Sequence, residues 1–258
     1  VERFGDVTGT STAMENAQLI GLSRQIALQR QMDVVANNIA NINTTGFKSE
    51  QLLFEEYLMP VARDRDFPTL DQPLSYTDDW TTIHDMSGGS LVQTGNPLDV
   101  ALQGDGFLAV ETPAGERYTR SGSLAIDPTG TLVDLNGNPV LGTGGPIQFA
   151  AGETDITIGE DGSVSSSAGQ KGRLRLVEFA DPQSTTREGS NLWAGTNPLD
   201  ATQTLVLQGS LEKSNVNGVG EMTEMIRVQR AYESVASLIS KQDDQRRTAI
   251  QKLGNLNG

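Results

Sequence analysis

The chain has 258 residues, of which 36% are hydrophobic and 20% charged. That is enough length and apolar content for one large or two modest folded domains, and too apolar for wholesale disorder. With 33 acidic against 19 basic side chains the net charge is -14, which repels phosphate and argues against a general binder of nucleic acid or of anionic membranes. The absence of cysteine excludes disulfides, thiolate metal sites and cysteine nucleophiles, and the single histidine, His84, leaves any catalytic or metal site dependent on carboxylates.

Residues 1–13, ahead of Met14, carry Glu2, Arg3 and Asp6 before a Gly/Thr/Ser run and read as a disordered leader, not as a secretory signal. No stretch approaches the roughly 18 uncharged apolar residues of a membrane span. From Met14 the pattern turns helical. Leu28, Met32, Val35, Ile39 and Ile42 recur at spacings of four and three, the narrow apolar seam of a helix that packs on another helix, and Leu19, Leu22 and Ile26 extend it with a shift in phase. The same stretch holds Asn37, Asn38, Asn41 and Asn43, although asparagine is a poor helix former. Two readings stay open: amides that zip closely packed helices together, or a frayed helix end. Thr44-Thr45-Gly46 closes the helix and Phe47 anchors its exit.

Residues 60–96, with Pro60, Pro68, Pro73 and the pair Gly88-Gly89, read as an extended connector. The region 97–210 reads as antiparallel β. Strand, turn and strand follow one another over Asp105 to Glu111, Pro113 to Glu116 and Arg117 to Arg120. Further strands are expected at Leu124 to Ile126, Thr131 to Leu135, Ile156 to Ile158 and Arg173 to Phe179, punctuated by Asp127-Pro128-Thr129-Gly130, Asn136-Gly137 and Asp161-Gly162. Such spacing suggests a sandwich or small barrel. The acidity belongs here: residues 50–210 hold 23 of the 33 acids and 8 of the 19 bases, and 17 of the 28 glycines lie between Gly88 and Gly172.

A second helix is expected to start at Asn217 or Gly218. Its seam runs through Met225, Val228, Tyr232, Val235 and Ile239 and resumes weakly at Ala249 and Leu253. A seam of so few heptads more often marks an ordinary core helix than a coiled coil, but two seams at opposite ends of one chain favour a terminal stalk. The fold class is therefore α+β: N- and C-terminal helices forming a coiled-coil-like stalk around a central antiparallel β-rich domain. The parts are 1–13 leader, 14–59 first helix and exit, 60–96 connector, 97–210 β domain and 211–258 second helix.

Chemistry finds little support. There is no phosphate loop, no HExxH and no GxSxG elbow. Asp134-x-Asn136-x-Asn138 begins like a calcium loop, but Pro139 stands where glycine is needed and Gly145 where the bidentate glutamate belongs, so it reads as a hairpin turn. The acid pairs Glu55-Glu56, Asp78-Asp79, Glu160-Asp161 and Asp243-Asp244 read as solvated surface, and His84 beside Asp85 has no evident nucleophile to serve. No catalytic, cofactor or metal residue is expected.

The run Leu28-Gln29-Arg30-Gln31-Met32-Asp33-Val34-Val35-Ala36, continued by Asn37 to Phe47, resembles the N-terminal signature of bacterial flagellar rod and hook proteins. Thr94 to Phe107 with Tyr118-Thr119-Arg120-Ser121-Gly122 is similar to their central motif, and Ser210 to Asn217 with Glu221-Met222 and Gln229 to Glu233 is similar to their C-terminal signature. Three blocks in the right order, from Met14 to near the end, make the likeness specific. Length and the opening of the first block point to the proximal-rod branch. The resemblance implies a structural, polymerising, non-enzymatic subunit of the periplasm-spanning rod, exported unfolded through the flagellar type III apparatus without a cleavable signal. Implied partners are other rod proteins and copies of itself, with no nucleic acid and no direct membrane insertion. The expected assembly interface is Leu28, Met32, Val35, Asn37, Asn38, Ile39, Asn41, Ile42, Gly46, Phe47, Met225, Val228, Tyr232, Val235 and Ile239. Two other classes compete: a carbohydrate-binding or adhesive β module, and a carboxylate-dependent hydrolase needing two convergent acids.

Overall fold

The computed structural model describes residues 8–59 and 74–254. Helix α1 spans Thr8–Ala40 and helix α2 spans Gly218–Gly254, with only β structure and loops between them. Of the expected leader, residues 1–7 lie outside the described residues, and the remainder from Thr8 is helical. The chain divides into two units: one built from both helices and the segment 50–83, the other from 38–49 and 84–218.

In the first unit the helices run antiparallel, which follows from two amphipathic faces needing each other to leave water. The Nε2 of Gln25 donates to the Tyr232 hydroxyl at 2.9 Å, and that of Gln31 donates to Glu224 at 2.7 Å. A Cβ on Gly21 would stand 3.1 Å from the Ile239 side chain, so the helices touch closely there. Strands Glu50–Met59 and Leu74–His84 form a two-stranded sheet. The expected connector 60–96 thus contains a strand on each side of Ser87–Ser90, the second being Leu91–Gln93; residues 60–73 lie outside the described residues.

The second unit is an antiparallel β body. Its largest sheet has six strands in the order Thr186–Glu188, Leu192–Ala194, Gly115–Thr119, Phe107–Thr112, Leu176–Glu178 and Leu199–Asp200. The hairpin at its centre pairs Leu108 with Thr119 and Thr112 with Gly115. Period-two alternation sends its side chains to two cores. Leu108 and Val110 join Val100, Leu132, Val164, Leu174 and Val206 on one face, whereas Phe107 and Ala109 join Tyr118, Val177, Phe179 and Trp193 on the other. A three-stranded sheet and several two-stranded pairs surround it, among them Val100–Gln103 with Leu205–Gln208 and Leu91–Gln93 with Ser210–Glu212. That last strand corrects the expected start of the second helical segment at 211: the chain is extended there, and α2 begins at Gly218.

Gly122 shows how tightly the body closes. Val100 donates to its carbonyl at 2.9 Å, and a Cβ built on Gly122 would lie 1.7 Å from the Val100 carbonyl oxygen. Gly144 faces open space with an ordinary φ. Gly122→Ala is therefore expected to cost about 3 kcal/mol or more of body stability through overpacking. Gly144→Ala should stay within about 0.5 kcal/mol. Urea unfolding of the two variants checks the contrast.

Candidate functional site

The expected interface residues separate into two groups. Leu28, Met32, Val35, Met225, Val228, Tyr232, Val235 and Ile239 lie in the helical unit, where Val35 and Val228 are buried and the rest half-buried. Asn37, also there, is exposed. Asn38, Ile39, Asn41, Ile42, Gly46 and Phe47 belong to the β-body unit. Asn38 is buried, Asn41 accepts a hydrogen bond from the Thr44 hydroxyl at 3.1 Å, and the Ile42 side chain reaches to within 2.4 Å of where a Cβ on Gly218 would sit. Gly46 has φ +66, and a Cβ on it would strike the Arg120 carbonyl at 2.4 Å. Only glycine fits that close, left-handed position.

The exit from α1 and the approach to α2 are clamped together by a buried ion network centred on Glu212. One carboxylate oxygen accepts from Lys48 Nζ at 2.7 Å and from the Gly89 amide at 2.8 Å; the other faces Arg120 Nε at 3.5 Å. All three side chains are at most 3% exposed. The Glu212 backbone carbonyl also accepts from the Gly46 amide at 2.8 Å. Lys48 further donates to the Ser87 carbonyl at 2.8 Å, and Arg120 to the carbonyls of Gly104 and Gly106. Burial pulls the Lys48 ammonium below its ordinary range, helped by the field of Arg120 and opposed by Glu212 and Asp85. Burial likewise lowers Arg120, against Glu212 and Asp105. Two cations share one carboxylate, so the carboxylate is the irreplaceable member.

Asn215 is the second clasp. Its side-chain oxygen accepts from the Ser49 amide at 2.8 Å, and its Nδ2 donates to the Asp85 carbonyl at 2.8 Å. Phe47 is covered by the Arg187 guanidinium 3.8 Å from its ring centroid, and Asn191 donates to the Thr45 carbonyl at 2.9 Å. The three sequence blocks therefore meet in space: Gly46 and Phe47 from the first, Gly104, Gly106 and Arg120 from the second, Glu212 and Asn215 from the third. Sequence reasoning overlooked Lys48, Arg187 and Asn191 and did not rank Arg120, Glu212 or Asn215. A charged residue held inside each otherwise small or apolar block was the available signal.

His84 is not a poised base. It is buried, edge-on to Trp193 with centroids 4.7 Å apart, and its backbone is held by both ends of the Gln183 amide at 2.9 and 2.7 Å. Asp134 accepts from the amides of Asn136 and Asn138, each at 2.8 Å, which makes the calcium-like run a turn. Among the described residues no group of three or more His, Asp or Glu is arranged to hold a metal ion, and no helix is long and apolar enough to cross a membrane. The side chains of Glu55-Glu56 and Asp78-Asp79 lie outside the described residues.

Comparison with known proteins agrees with the three blocks. Residues 19–48 match the family described as flagella basal body rod protein, 101–166 the flagellar hook protein FlgE/F/G D1 domain, and 207–252 the flagellar basal body rod FlgEFG protein C-terminal region. The flagellar basal-body rod protein FlgF of Caulobacter vibrioides is 40% identical over 250 residues, covering 95% of this chain and 100% of the relative. FlgF of Mesorhizobium japonicum is 35% identical, covering 94% and 99%, and the rod protein FlgG of Bacillus subtilis is 32% identical, covering 92% and 97%.

Removing the shared carboxylate should hurt more than removing one of its two cations. Glu212→Gln leaves Lys48 and Arg120 buried without a counter-charge and is expected to cost about 3–5 kcal/mol. Lys48→Met leaves one cation on one carboxylate and should cost about 1–3 kcal/mol. Equal or reversed losses in urea unfolding would overturn this ranking.

Proposed function

The chain belongs to the flagellar basal-body rod protein family and is a structural subunit of the rod, and we propose that it builds the proximal rod through a coiled-coil-like stalk of its two terminal helices. The observation that carries this reading is the antiparallel pairing of α1 and α2, with Val35 and Val228 buried in a seam of otherwise half-buried apolar residues. A helical pair that covers its apolar surface only partly is completed by neighbours. Copies stacked head to tail make a heterologous contact that propagates instead of closing, as a hollow axle requires. The β body then forms the outer layer. Partners on this reading are copies of the chain, other rod proteins and the type III export apparatus, through which the chain passes unfolded. The higher identity to two FlgF relatives than to FlgG of Bacillus subtilis supports the proximal position. A tagged copy is expected in purified basal bodies and absent from isolated hooks; recovery in the hook overturns the proximal assignment.

The seam has a second consequence. Val35→Asp or Ile239→Asp places a charge where it must be desolvated. Each is expected to leave unfolding of the β body unchanged while abolishing swimming in soft agar; wild-type motility in both counts against the seam. In the dilute subunit the helices lean on one partner face only, so their amides over 25–37 and 225–239 should exchange at least about 100-fold faster than those of Phe107–Thr112. Equal protection contradicts assembly-coupled ordering.

A further inference from the structure

Opposite the seam, each terminal helix carries an outward stripe that changes character along its length. On α1 the outward positions Leu19, Leu22 and Ile26 are 52%, 51% and 47% exposed, and the same face continues as exposed Gln29, Arg30 and Asp33. On α2 the order is reversed. Val219, Met222 and Ile226 are 78%, 57% and 52% exposed, and their face continues as exposed Arg230, Glu233 and Ser237. The pairs Gly21 with Ile239, Gln25 with Tyr232 and Gln31 with Glu224 fix the antiparallel register, so the apolar half of each stripe lies beside the polar half of the other. By that register the two patches stand about 15 residues apart along the helical pair, on the order of 20 Å at 1.5 Å per residue.

We propose that the α1 patch of one copy seats on the α2 patch of the next copy of this chain, an inference that rests on the rod reading and gives its interface a direction. The two patches cannot meet within one subunit, because the register holds them apart. Three partly exposed side chains on each side fall well short of the roughly 800 Å² per partner that a stable dimer buries. One such contact does not hold two free copies together, whereas a subunit flanked on both sides uses both patches at once. Self-pairing of either patch across a two-fold axis would close a dimer and leave the other patch wet; unlike pairing leaves one patch of each kind at every end of the growing array. The helical pair continues the seam already assigned to assembly, with an axial step of roughly 20 Å between copies.

The absence of native cysteine makes the test clean. Full-length Leu22→Cys and Ile226→Cys variants, tagged differently, are co-expressed in flagellated cells, and purified basal bodies are oxidised with copper phenanthroline. The expected result is a disulfide dimer carrying both tags, at least tenfold above the dimer from either variant alone, and a ladder from the doubly substituted chain. Dimers of like variants only, crosslinks only to a different protein, or no crosslink despite both tags in the basal body overturn the directional contact while leaving the rod reading intact. Tags missing from the basal body for the unsubstituted chain as well would overturn the rod reading instead. Both sites are surface positions, so neither substitution is expected to shift the unfolding midpoint measurably.

Discussion

A single buried carboxylate organises the return of the chain. Glu212 lies 164 residues from Lys48, and their ion pair at 2.7 Å closes most of the β body into one loop. Such a pair adds little net stability over an apolar core of the same volume, because desolvation of both charges offsets their attraction. Its effect is on alternatives. A slip of the Ser210–Glu212 strand against Leu91–Gln93 by one residue would turn Glu212 to the opposite face and leave Lys48 and Arg120 buried without an anion. The network therefore fixes the register of the segment that leads into α2, and Asn215 repeats the constraint through the Ser49 amide and the Asp85 carbonyl.

The helical unit obeys different physics. Its contacts are a seam of apolar side chains with two side-chain hydrogen bonds across it, and much of its apolar surface stays in contact with water. The β body buries whole side chains, Trp193, Leu108 and Val110 among them, on both faces of its central sheet. Burial at about 25 cal/mol per Å² rewards the second arrangement far more than the first. A chain built this way has a rigid part that is stable alone and an adhesive part whose stability comes largely from neighbours, which is the division of labour a polymerising subunit needs.

Much of this was readable from residues. The 4-3 spacing located both helices because a one-sided apolar stripe has only one common explanation, and the Gly and Asn turn pairs located the central hairpins. Leu124–Ile126 is a strand over the range expected, and α2 starts at the expected Gly218. What escaped were features made by distance in sequence. Nothing local at Lys48 says that its ammonium is buried against a carboxylate from the far end of the body, and the strand Leu91–Gln93, exposed throughout, has no alternation to betray it. Its pairing comes from Ser210–Glu212, whose approach is set by the clamp.

The acidic, glycine-rich centre, which invited thoughts of glycan binding or hydrolysis, has a plainer cause in the turns. Asp85, Asp127, Asp134, Asp161 and Asp181 each accept from the backbone amide two residues on, at 2.8 to 3.0 Å. These are Asx turns, in which the carboxylate replaces a backbone acceptor and frees the chain to reverse. For Asp127 and Asp161 the hydrogen bonds, led by those of Thr129 and Ser163, hold the carboxyl below its ordinary range and so keep it ionised. Gly130, Gly137 and Gly162 then supply the positive φ that completes the reversals. A body with many short strands needs many such turns, and each takes an aspartate. The negative charge thus follows from the way the β body is folded, and no substrate has to be invoked to explain it.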